Sequence, residues 1–339
     1  MFFISGRTVI GIVDIAKQCN VTPSTVSRAL NGKVGVSDSL RNKILTVSKE
    51  LGYEPNNVAR SLVTNDSKLI GLILPDITSP YYACIAKGVD SYLRAQGYGV
   101  MLCNSSRDKS VEKECLRLLQ AQRISGLIIV SVTVDEDDLL NLSHQGIRVV
   151  AADIAIGPHF SSVVNDHYNG ALTLFKHMIK CGCRKIGCIL GSPSSSSTQE
   201  RLRALRQVLE ENDIDFDKNN VVYADATFEN GYKKAKTLLQ RDIDTIFAIN
   251  DTVALGAMKY CQDHGIKIPQ DIKIAGYDDL EVASMIAVPL TTVHQRKVLL
   301  GRKAAELLLH EIKTPSEPIK IVLSPSLMIR ESCGESLLK

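Results

Sequence analysis

The feature that most constrains the fold of this 339-residue chain is a repeated alternation of apolar and amphipathic segments after Lys68. Helical patterns occupy the amphipathic segments 80–96, 110–122, 135–144, 169–181, 198–212, 229–240, 252–264 and 279–286. Segments rich in Val, Ile and Leu separate them in two series: 69–74, 98–103, 125–132, 148–153 and 162–166, then 185–190, 220–225, 245–251, 272–278 and 290–295. Near-continuous apolar strands between helices are typical of parallel sheets covered on both faces. The alternation therefore predicts an α/β core of two doubly wound lobes.

The segments after residue 295 predict that the chain crosses back between these lobes. They comprise a helical pattern over 297–312, a proline-marked turn at 314–318, and strand patterns over 319–323 and 326–330. We expect the first lobe to span about 68–166 and 296–323, and the second about 167–295 and 324–332. Ligands of such sheets bind at the carboxyl ends of the strands, so a cleft between the lobes is the expected ligand site.

Residues 12–30 have a different pattern, that of two short helices joined by a tight turn. Asn20 tolerates the left-handed backbone of such a turn, and Thr22-Pro23 is a typical helix start. The spacing predicts these buried positions: Ile12, Ile15, Ala16, Cys19, Val26, Ala29 and Leu30. The outer face of the second helix would then carry Ser24, Thr25, Ser27 and Arg28. A small polar and basic face on the second helix predicts a helix-turn-helix that binds DNA.

A third helix completes this DNA-binding domain, which we place at 12–54. Ser37 is its expected cap, Leu40, Ile44, Val47 and Leu51 share one face, and Gly52 ends it. Residues 55–67 are expected to form a short hinge helix and a polar linker. A helix of under two turns is unstable alone in water, which suits a switchable connection. Leu62 closes this helix either as an apolar wedge in the DNA minor groove or as a core contact.

Charge and cysteine usage agree with a cytoplasmic DNA-binding protein. Residues 1–67 contain eight basic and five acidic side chains, whereas the remainder is balanced, so the net charge of +3 resides in the DNA-binding part. The nine cysteines are scattered without a CxxC pair, which indicates reduced thiols. No run of 18 apolar residues occurs, and Met1–Ile4 is too short for a signal peptide. We expect no membrane partner.

Polar residues at strand ends and helix starts are the candidates for ligand binding in the cleft. Carboxylates and arginine at such positions hydrogen-bond hydroxyl-rich ligands. The candidates are Asp153, Arg201, Asn250 and Asp278, with Tyr81, Tyr82 and Phe228 as rings that either stack on a ligand or pack in the core. Asp251 also stands at such a position, but it precedes the helix 252–264, so it either points into the cleft or only caps that helix. The motifs GxSxG, GxxxxGK and HExxH are absent, so we expect neither an enzyme nor a cofactor or metal site.

Ordered motifs over about residues 12–332 resemble the LacI/GalR family of bacterial transcription regulators. They are DIAKQCNVTPSTVSRALNG, ELGYEPNNVARSL, DITSPYY, VVNDHYNGA, RKIGCILGS, FAINDTVALGAMKY, IPQDIKIAGYDD, PLTTVHQ and LMIRES. The resemblance implies a helix-turn-helix head, a hinge helix, and a core like a periplasmic sugar-binding protein. It also implies a homodimer on a pseudo-palindromic operator.

Carried onto matching positions, the resemblance implies roles for individual residues. The implied DNA contacts are Thr22, Ser24, Thr25, Ser27, Arg28, Asn31, Asn56, Ala59 and Leu62. The implied effector contacts are Asp153, Arg201, Asn250 and Asp278, with Tyr81, Tyr82 and Phe228 beside them. The chain departs from the family at Gly11, Cys19, Asn20 and Pro23, and Pro23 leaves Ser24 and Arg28 to discriminate bases. Residues 192–199 contain no arginine, which disfavours the purine effectors of some relatives.

These inferences predict a dimeric repressor of carbohydrate-utilisation genes whose partners are double-stranded operator DNA and a small sugar or sugar-derivative effector. One alternative is a catabolite-control regulator that uses a phosphocarrier protein as corepressor. Another is a transport-type sugar-binding protein, which the DNA-binding head and the missing signal peptide disfavour.

Overall fold

The helix-turn-helix forms as predicted in the computed structural model, which describes residues 10–53, 67–130 and 133–334. Helices α1 (Ile12–Cys19), α2 (Pro23–Leu30) and α3 (Asp38–Glu50) follow one another. Asn20 has φ 55° and turns the chain after α1. The Thr22 hydroxyl accepts a hydrogen bond from the Thr25 amide at 3.3 Å, which caps α2.

A small apolar core holds these three helices together. Its fully buried members are Ile15, Ala16, Cys19, Val26, Ala29, Ile44 and Val47. Leu40 and Leu51 pack against it from α3, as the spacing of that helix predicts. The chain divides into two compact units between Ser67 and Lys68, and we describe each by itself. The predicted hinge contacts Asn56, Ala59 and Leu62 lie outside the described residues.

The second unit begins with a six-stranded sheet in which all described pairings are parallel. Its strands are β1 (Leu69–Leu74), β2 (Gly99–Asn104), β3 (Gly126–Ile129), β4 (Arg148–Ala152), β5 (Ser161–Asn165) and β11 (Lys320–Leu323), in the order β11-β5-β4-β3-β1-β2. Helices α4 (Pro80–Ala95) and α11 (Lys297–Lys313) cover one face, and α5 (Lys109–Ala121) and α6 (Glu136–His144) the other. We call this sheet with its four helices the first lobe.

The second lobe is built on a four-stranded parallel sheet. Its strands are β6 (Ile186–Leu190), β7 (Val221–Tyr223), β8 (Thr245–Ala248) and β9 (Lys273–Ala275), in the order β7-β6-β8-β9. The covering helices are α7 (His167–Lys180), α8 (Ser196–Glu210), α9 (Phe228–Leu238) and α10 (Asp251–Asp263). The α/β core of two doubly wound lobes is thus confirmed. The helix expected over 279–286 is instead a single 3₁₀ turn, Glu281–Ser284.

The chain passes between the two lobes three times. It leaves the first lobe after β5, and returns to it between β10 (Thr292–His294) and α11. The third passage runs from β11 to β12 (Ser326–Met328), which pairs with β10 in an antiparallel two-stranded sheet. Short connections of this kind allow two packed lobes to rotate about a common hinge. Among the described residues, no helix is long and apolar enough to cross a membrane.

Two glycines let α4 and α11 approach closely on one face of the first lobe. A Cβ on Gly88 would lie 2.1 Å from the Val298 carbonyl oxygen, and one on Gly301 would lie 2.1 Å from that of Ile85. Backbone occupies these positions, so a larger residue cannot be accommodated by rotating a side chain.

We expect Gly88→Ala to lower the free energy of unfolding by about 2 kcal/mol, because overpacking forces the two helices apart. Thermal unfolding should show a fall in Tm on the order of 5 °C. The exposed change Ser91→Ala on the same helix is the matched control. Equal Tm values for the two variants would contradict the close-packing account.

Candidate functional site: the recognition helix and the interlobe cleft

The outer face of α2 is exposed within the described part of the head. Ser24 and Arg28 are exposed, and Thr25 and Ser27 are partly exposed beside them. The Arg28 side chain makes no hydrogen bond or ion pair with the residues that the structure describes. Asn31 is engaged, since its Nδ2 donates to the Ser27 carbonyl at 2.8 Å. Phosphate oxygens and guanine edges accept hydrogen bonds, and the hydroxyl groups and the arginine of this face can donate them.

A cavity of about 300 Å³ lies between the two lobes at the carboxyl ends of their strands. The first lobe contributes Asp76, Ser79, Tyr81, Tyr82, Arg107, Val130, Asp153 and Ile154. The remaining lining residues are His167, Gly191, Ser192, Ser195, Ser196, Ser197, Thr198, Arg201, Ala224, Asp225, Ala226, Ile249, Asn250, Asp278 and Gln295. Six predicted effector residues therefore come together here: Tyr81, Tyr82, Asp153, Arg201, Asn250 and Asp278. Phe228 does not, because it begins α9 outside this lining with 39% of its surface exposed.

Asp153 is held in a fixed position directly after β4. The Tyr81 hydroxyl donates to its Oδ1 at 2.7 Å, and Asn165 Nδ2 donates to the same oxygen at 3.2 Å. These contacts leave Oδ2 to accept from a ligand. The backbone of Asp153 has φ 68°, a left-handed conformation that costs free energy in an aspartate and often marks a functional site.

Asp278 occupies the corresponding position in the second lobe, three residues after β9. Gln295 Nε2 donates to its Oδ1 at 2.6 Å, and the Lys297 ammonium donates to its carbonyl oxygen. The backbone again has an unfavourable φ, here 111°. The next residue, Asp279, anchors the turn through an ion pair with Arg330 at 2.6 Å. Surrounding contacts thus maintain a strained backbone that presents a carboxylate to the cleft.

Arg201 is 4% exposed and lies on α8 against the ring of Tyr277, with 3.6 Å from the guanidinium carbon to the ring centroid. Its Nη1 donates to the Ile249 carbonyl, and its Nη2 lies 3.4 Å from His167 Nδ1. Because arginine only donates, Nδ1 is the accepting nitrogen of His167, and Nε2 carries the ring proton. Burial, with the charge of Arg201 second, lowers the pKa of His167 to about 3, so the ring is neutral.

Several buried polar atoms in or next to the cleft have no hydrogen-bond partner. His167 Nε2, Arg201 Nε and Gln295 Oε1 belong to lining residues, and Asn165 Oδ1 belongs to a residue that bonds to Asp153. Such atoms cost free energy unless something pairs with them, and their concentration in one cavity indicates a bound polar molecule. The set contains both donors and acceptors. That is the complement of a ligand rich in hydroxyl groups, which donate and accept at once.

The cleft also concentrates carboxyl groups that resist ionisation. Burial raises the pKa of Asp153 to about 6 and that of Asp251 to about 7. Burial, and next the neighbouring Asp251, raise the pKa of Asp278 to about 8. Near pH 7 the pair formed by Asp251 and Asp278 therefore holds a proton that the unfolded chain does not.

The unliganded protein should lose stability as pH rises from about 6.5 to about 8.5. Unfolded aspartates are ionised throughout this window, so the folded state binds more protons, and the free energy of unfolding falls with pH by up to about 1.4 kcal/mol per unit for one group. The lowered pKa of His167 makes the free energy of unfolding rise with pH instead, but only below the ordinary histidine pKa, where the unfolded chain binds the extra proton. Thermal unfolding across the window checks this. Asp278→Asn should flatten the slope, and an unchanged slope would contradict the assignment.

Asn250 and Asp251, adjacent at the start of α10, have different roles in the structure. The Asn250 Oδ1 caps α10 by accepting from the Val253 amide at 2.9 Å, and its residue also lines the cavity. Asp251 is fully buried instead, where it accepts from the Leu280 amide at 2.7 Å and the Thr292 hydroxyl at 2.6 Å. Asp251 is therefore neither a residue of the cavity lining nor only a helix cap. It ties the start of α10 to the segment that carries Asp278.

Sequence reasoning missed the other polar residues of the cleft lining, which are Asp76, Ser79, Arg107, His167, Ser192, Ser195, Ser196, Ser197, Thr198, Asp225 and Gln295, and also Asn165, which bonds to Asp153. Arg107 and Asn165 follow or end strands, and this position relative to a strand was the available signal. His167 and Gln295 lie in the segments where the chain passes between the lobes. Among the described residues, no cluster of His, Cys, Asp and Glu could hold a metal ion.

A second, larger cavity of about 430 Å³ lies at the opposite, amino-terminal ends of the second lobe's strands. It includes Lys185 and Asp242, which pair with each other, and Asp217, whose carboxylate accepts from the Asn219 amide at 2.8 Å. One buried atom of its lining, Arg241 Nη1, has no hydrogen-bond partner. The interlobe cleft has three such atoms in its lining, His167 Nε2, Arg201 Nε and Gln295 Oε1, and it receives side chains from both lobes, so it is the better candidate for the effector site.

The fold and the two sites define a regulator that couples a DNA-binding head to a two-lobed ligand-binding core. Residues 11–56 match the family model for bacterial regulatory proteins of the lacI family. Residues 67–332 match the model for periplasmic binding proteins and the sugar-binding domain of the LacI family. The chain therefore belongs to the LacI family of transcriptional regulators, as its motifs predicted.

Individual relatives agree with this assignment. The HTH-type transcriptional repressor PurR of Haemophilus influenzae (strain PittEE) is 35% identical over 331 residues, which are 95% of this chain and 98% of the relative. The ribose operon repressor of Halalkalibacterium halodurans is 33% identical over 324 residues, 95% and 96% of the two chains.

Solved structures extend the likeness to the fold. The Lac repressor dimer bound to operator and the anti-inducer ONPF has a TM-score of 0.86 and 27% identity, over 96% of this chain and 99% of that one. A LacI-family regulator from Enterococcus faecium with bound ribose has a TM-score of 0.72 and 27% identity, over 78% and 98%.

Proposed function

We propose that this protein is a cytoplasmic repressor of carbohydrate-utilisation genes, controlled by a small sugar or sugar derivative that binds in the interlobe cleft. It would bind a pseudo-palindromic operator as a homodimer. Residues 12–54 would contact the major groove, 55–67 would form the hinge, and 68–339 would bind effector and dimerise. The PurR and the ribose operon repressor named above are almost equally similar to this chain, so neither name favours an effector class. The residues of the cleft are therefore the basis for proposing a sugar.

The observation that carries this proposal is the set of buried, unpaired donors and acceptors between two carboxylates. Asp153 and Asp278 each keep one oxygen free to accept, and Arg201 Nε is an unpaired donor. Sugar hydroxyls satisfy both kinds of atom, and they would relieve the cost of leaving those atoms unpaired. The regulator with bound ribose shows that a relative of the same fold holds a sugar.

Binding in the cleft would be coupled to DNA through the passages between the lobes. A ligand that binds Asp153 in one lobe and Asp278 in the other stabilises the arrangement of the two lobes in which it contacts both residues. A change in lobe arrangement would alter the spacing of the two hinges in a dimer. The hinge, with the predicted wedge Leu62, would then bind or leave the minor groove. Whether an effector induces or corepresses depends on which arrangement it selects.

Two measurements on the full chain test the proposal. Selection of binding sites from random DNA should yield a two-fold symmetric sequence, bound as a dimer at fixed salt. A thermal-shift panel should then find a sugar that stabilises the protein, by about 2.7 kcal/mol at 100 times its dissociation constant, and that changes operator affinity. Stabilisation by a purine base alone, or a response only to a phosphocarrier protein, would contradict the sugar effector.

A further inference from the structure

The turn that follows β9 has a strained backbone. Asp278 and Asp279 have φ values of 111° and 54°, so two successive residues other than glycine adopt left-handed backbone. Such backbone costs free energy and persists only where surrounding contacts maintain it. We call residues 278–280 the effector turn, because Asp278 lines the interlobe cavity.

The segments that connect the two lobes hold the effector turn on one side. The Asp278 amide donates to the Val293 carbonyl at 2.9 Å. The Asp279 carboxylate accepts from Arg330 at 2.6 Å and from His294 Nδ1 at 2.8 Å. These partners belong to β10 and to the segment after β12, so they fix the turn to the region where the chain passes between the lobes.

Leu280 carries the end of the effector turn into the first lobe. Its side chain is 5% exposed and belongs to the apolar cluster of that lobe, which also contains Ile85 of α4 and Leu300 of α11. Its amide donates to Asp251 of the second lobe at 2.7 Å. One residue of the turn is therefore bound to both lobes.

Lys297 holds the effector turn from the first lobe as well. It is the first residue of α11, and it is 8% exposed. Its ammonium group donates to the Asp278 carbonyl oxygen and, at 3.0 Å, to the Asp279 carbonyl oxygen. Burial of an ammonium group is costly, so these two acceptors account for a lysine at this position.

The helices α4 and α11 thereby contact the ligand-binding segments of both lobes. Lys297 of α11 bonds to the effector turn, and the Tyr81 hydroxyl of α4 donates to Asp153 at 2.7 Å. The backbones of the two helices touch at Gly88 and Gly301. Because closely packed backbones do not shift independently, the effector turn and Asp153 are tied to one rigid pair of helices.

We propose that Lys297 is a positioning residue of the effector site, which couples the effector turn to the first lobe. Its ammonium group maintains the strained turn that presents Asp278, and α11 and α4 respond when an effector binds there. This inference rests on the proposed function, and it adds to the response a residue outside the cavity lining. By linkage, release of the turn from Lys297 lowers both the effector affinity and the effect of effector on operator binding.

Protons test the role of Lys297 without knowledge of the effector. Burial raises the pKa of Asp251 and that of Asp278, and the charge of Lys297 opposes the rise. Lys297→Met removes this charge, so the carboxyl pair should keep its proton to higher pH. The fall in stability expected between about pH 6.5 and 8.5 should move up by about half a pH unit or more. Thermal unfolding of the full chain without effector, repeated across this range, measures the shift.

Matched variants separate this charge effect from a loss of packing, which would lower Tm at every pH without moving the window. Lys297→Arg keeps a positive donor and should keep the wild-type window, as should the exposed change Lys313→Met on the same helix. Lys297→Gln gives the same test as the methionine variant if that variant does not fold. Arg201 and Asp279, which also act on the carboxyl pair, are unchanged in all of them. An unmoved window in the neutral variants would overturn the proposal.

Sugar binding tests whether Lys297 acts through Asp278. The probes are D-ribose, D-xylose, D-glucose and D-galactose, and a sugar that stabilises the wild type is titrated against each variant. Lys297→Met should weaken its binding about tenfold or more, and Lys297→Arg by about threefold or less. In the Asp278→Asn background, Lys297→Met should weaken binding by only about twofold, because the turn no longer presents a carboxyl group. Fully additive effects of the two changes would overturn the proposal.

Operator binding separates this inference from the proposed function. At equal sugar occupancy, the change in operator affinity should be smaller in Lys297→Met than in the wild type, and unaltered in Lys313→Met. A full response in Lys297→Met overturns the coupling and leaves the sugar-controlled repressor standing. Failure of all four sugars to bind the wild type counts against the proposed function alone, and the pH measurement then decides the role of Lys297.

Discussion

Asp278→Asn should abolish the effector response of this protein while leaving operator binding intact. The asparagine retains an oxygen that accepts from Gln295, and asparagine tolerates left-handed backbone, so the local structure should persist. It cannot supply the carboxylate oxygen that faces the cleft. An amide that donates would replace the carboxyl oxygen that accepts from a ligand hydroxyl, so a buried hydrogen bond is lost, which predicts a fall in effector affinity of about tenfold or more.

The measurement is a titration of the operator-binding variant with effector, in which the release or the uptake of operator DNA reports the effector affinity. Asp263→Asn is the matched control, because Asp263 is exposed on α10 and pairs only with side chains of its own surface, Lys259 and Tyr232. Operator affinity without effector should equal that of the wild type in both variants. A normal effector response in the Asp278 variant would remove this residue, and with it the second lobe's carboxylate, from the ligand site.

Arg28→Ala should remove most of the discrimination between operator and random DNA. Arg28 is the exposed basic side chain of the α2 face and has no partner among the described residues, so it is free to reach a base edge. One bidentate contact from arginine to guanine contributes about 1–3 kcal/mol of discrimination, and a dimer makes two. The specificity ratio should therefore fall by about 30-fold or more.

Competition titrations of operator against random duplex at fixed salt measure that ratio. Lys17→Ala, an exposed basic residue on α1, is the control for loss of charge alone, and it should weaken both kinds of DNA about equally. Thermal unfolding of the Arg28 variant should be unchanged, since the side chain is exposed. An unaltered specificity ratio would exclude Arg28 from base recognition.

Local sequence rules predicted most of the secondary structure because the relevant forces act over a few residues. Asn20 turns the chain with a left-handed backbone, and Thr22 caps α2, as their side chains allow. The strand expected at 69–74 is β1, residue for residue. Where local rules were ambiguous they erred: two adjacent polar residues, Asn250 and Asp251, were both able to cap α10, and only burial against Leu280 and Thr292 separated them.

The cleft itself was predictable only in part. Strand-end positions identified Asp153 and Asp278, because parallel strands bring their carboxyl ends to one edge of a sheet. Arg107 follows a strand and His167 begins a helix, so the same positional rule applied to both, but it did not distinguish them from other polar residues at such positions. Phe228 had the right chemistry and the wrong place, since its helix starts beyond the lining of the cavity.

The sequence by itself determined the class of protein and most of the helices and strands, and it supplied candidate residues for the two sites. Its periodicities and helix caps depend on residues that are close along the chain. Its ordered motifs identify the family by direct resemblance. Only the tertiary structure decided which atoms of the cleft are buried without partners. His167 and Arg201 are 34 residues apart, and Arg201 and Ile249 are 48 apart, yet they meet in one network. Whether a polar atom is satisfied depends on groups that distant segments bring to it, and that follows from packing rather than from sequence spacing.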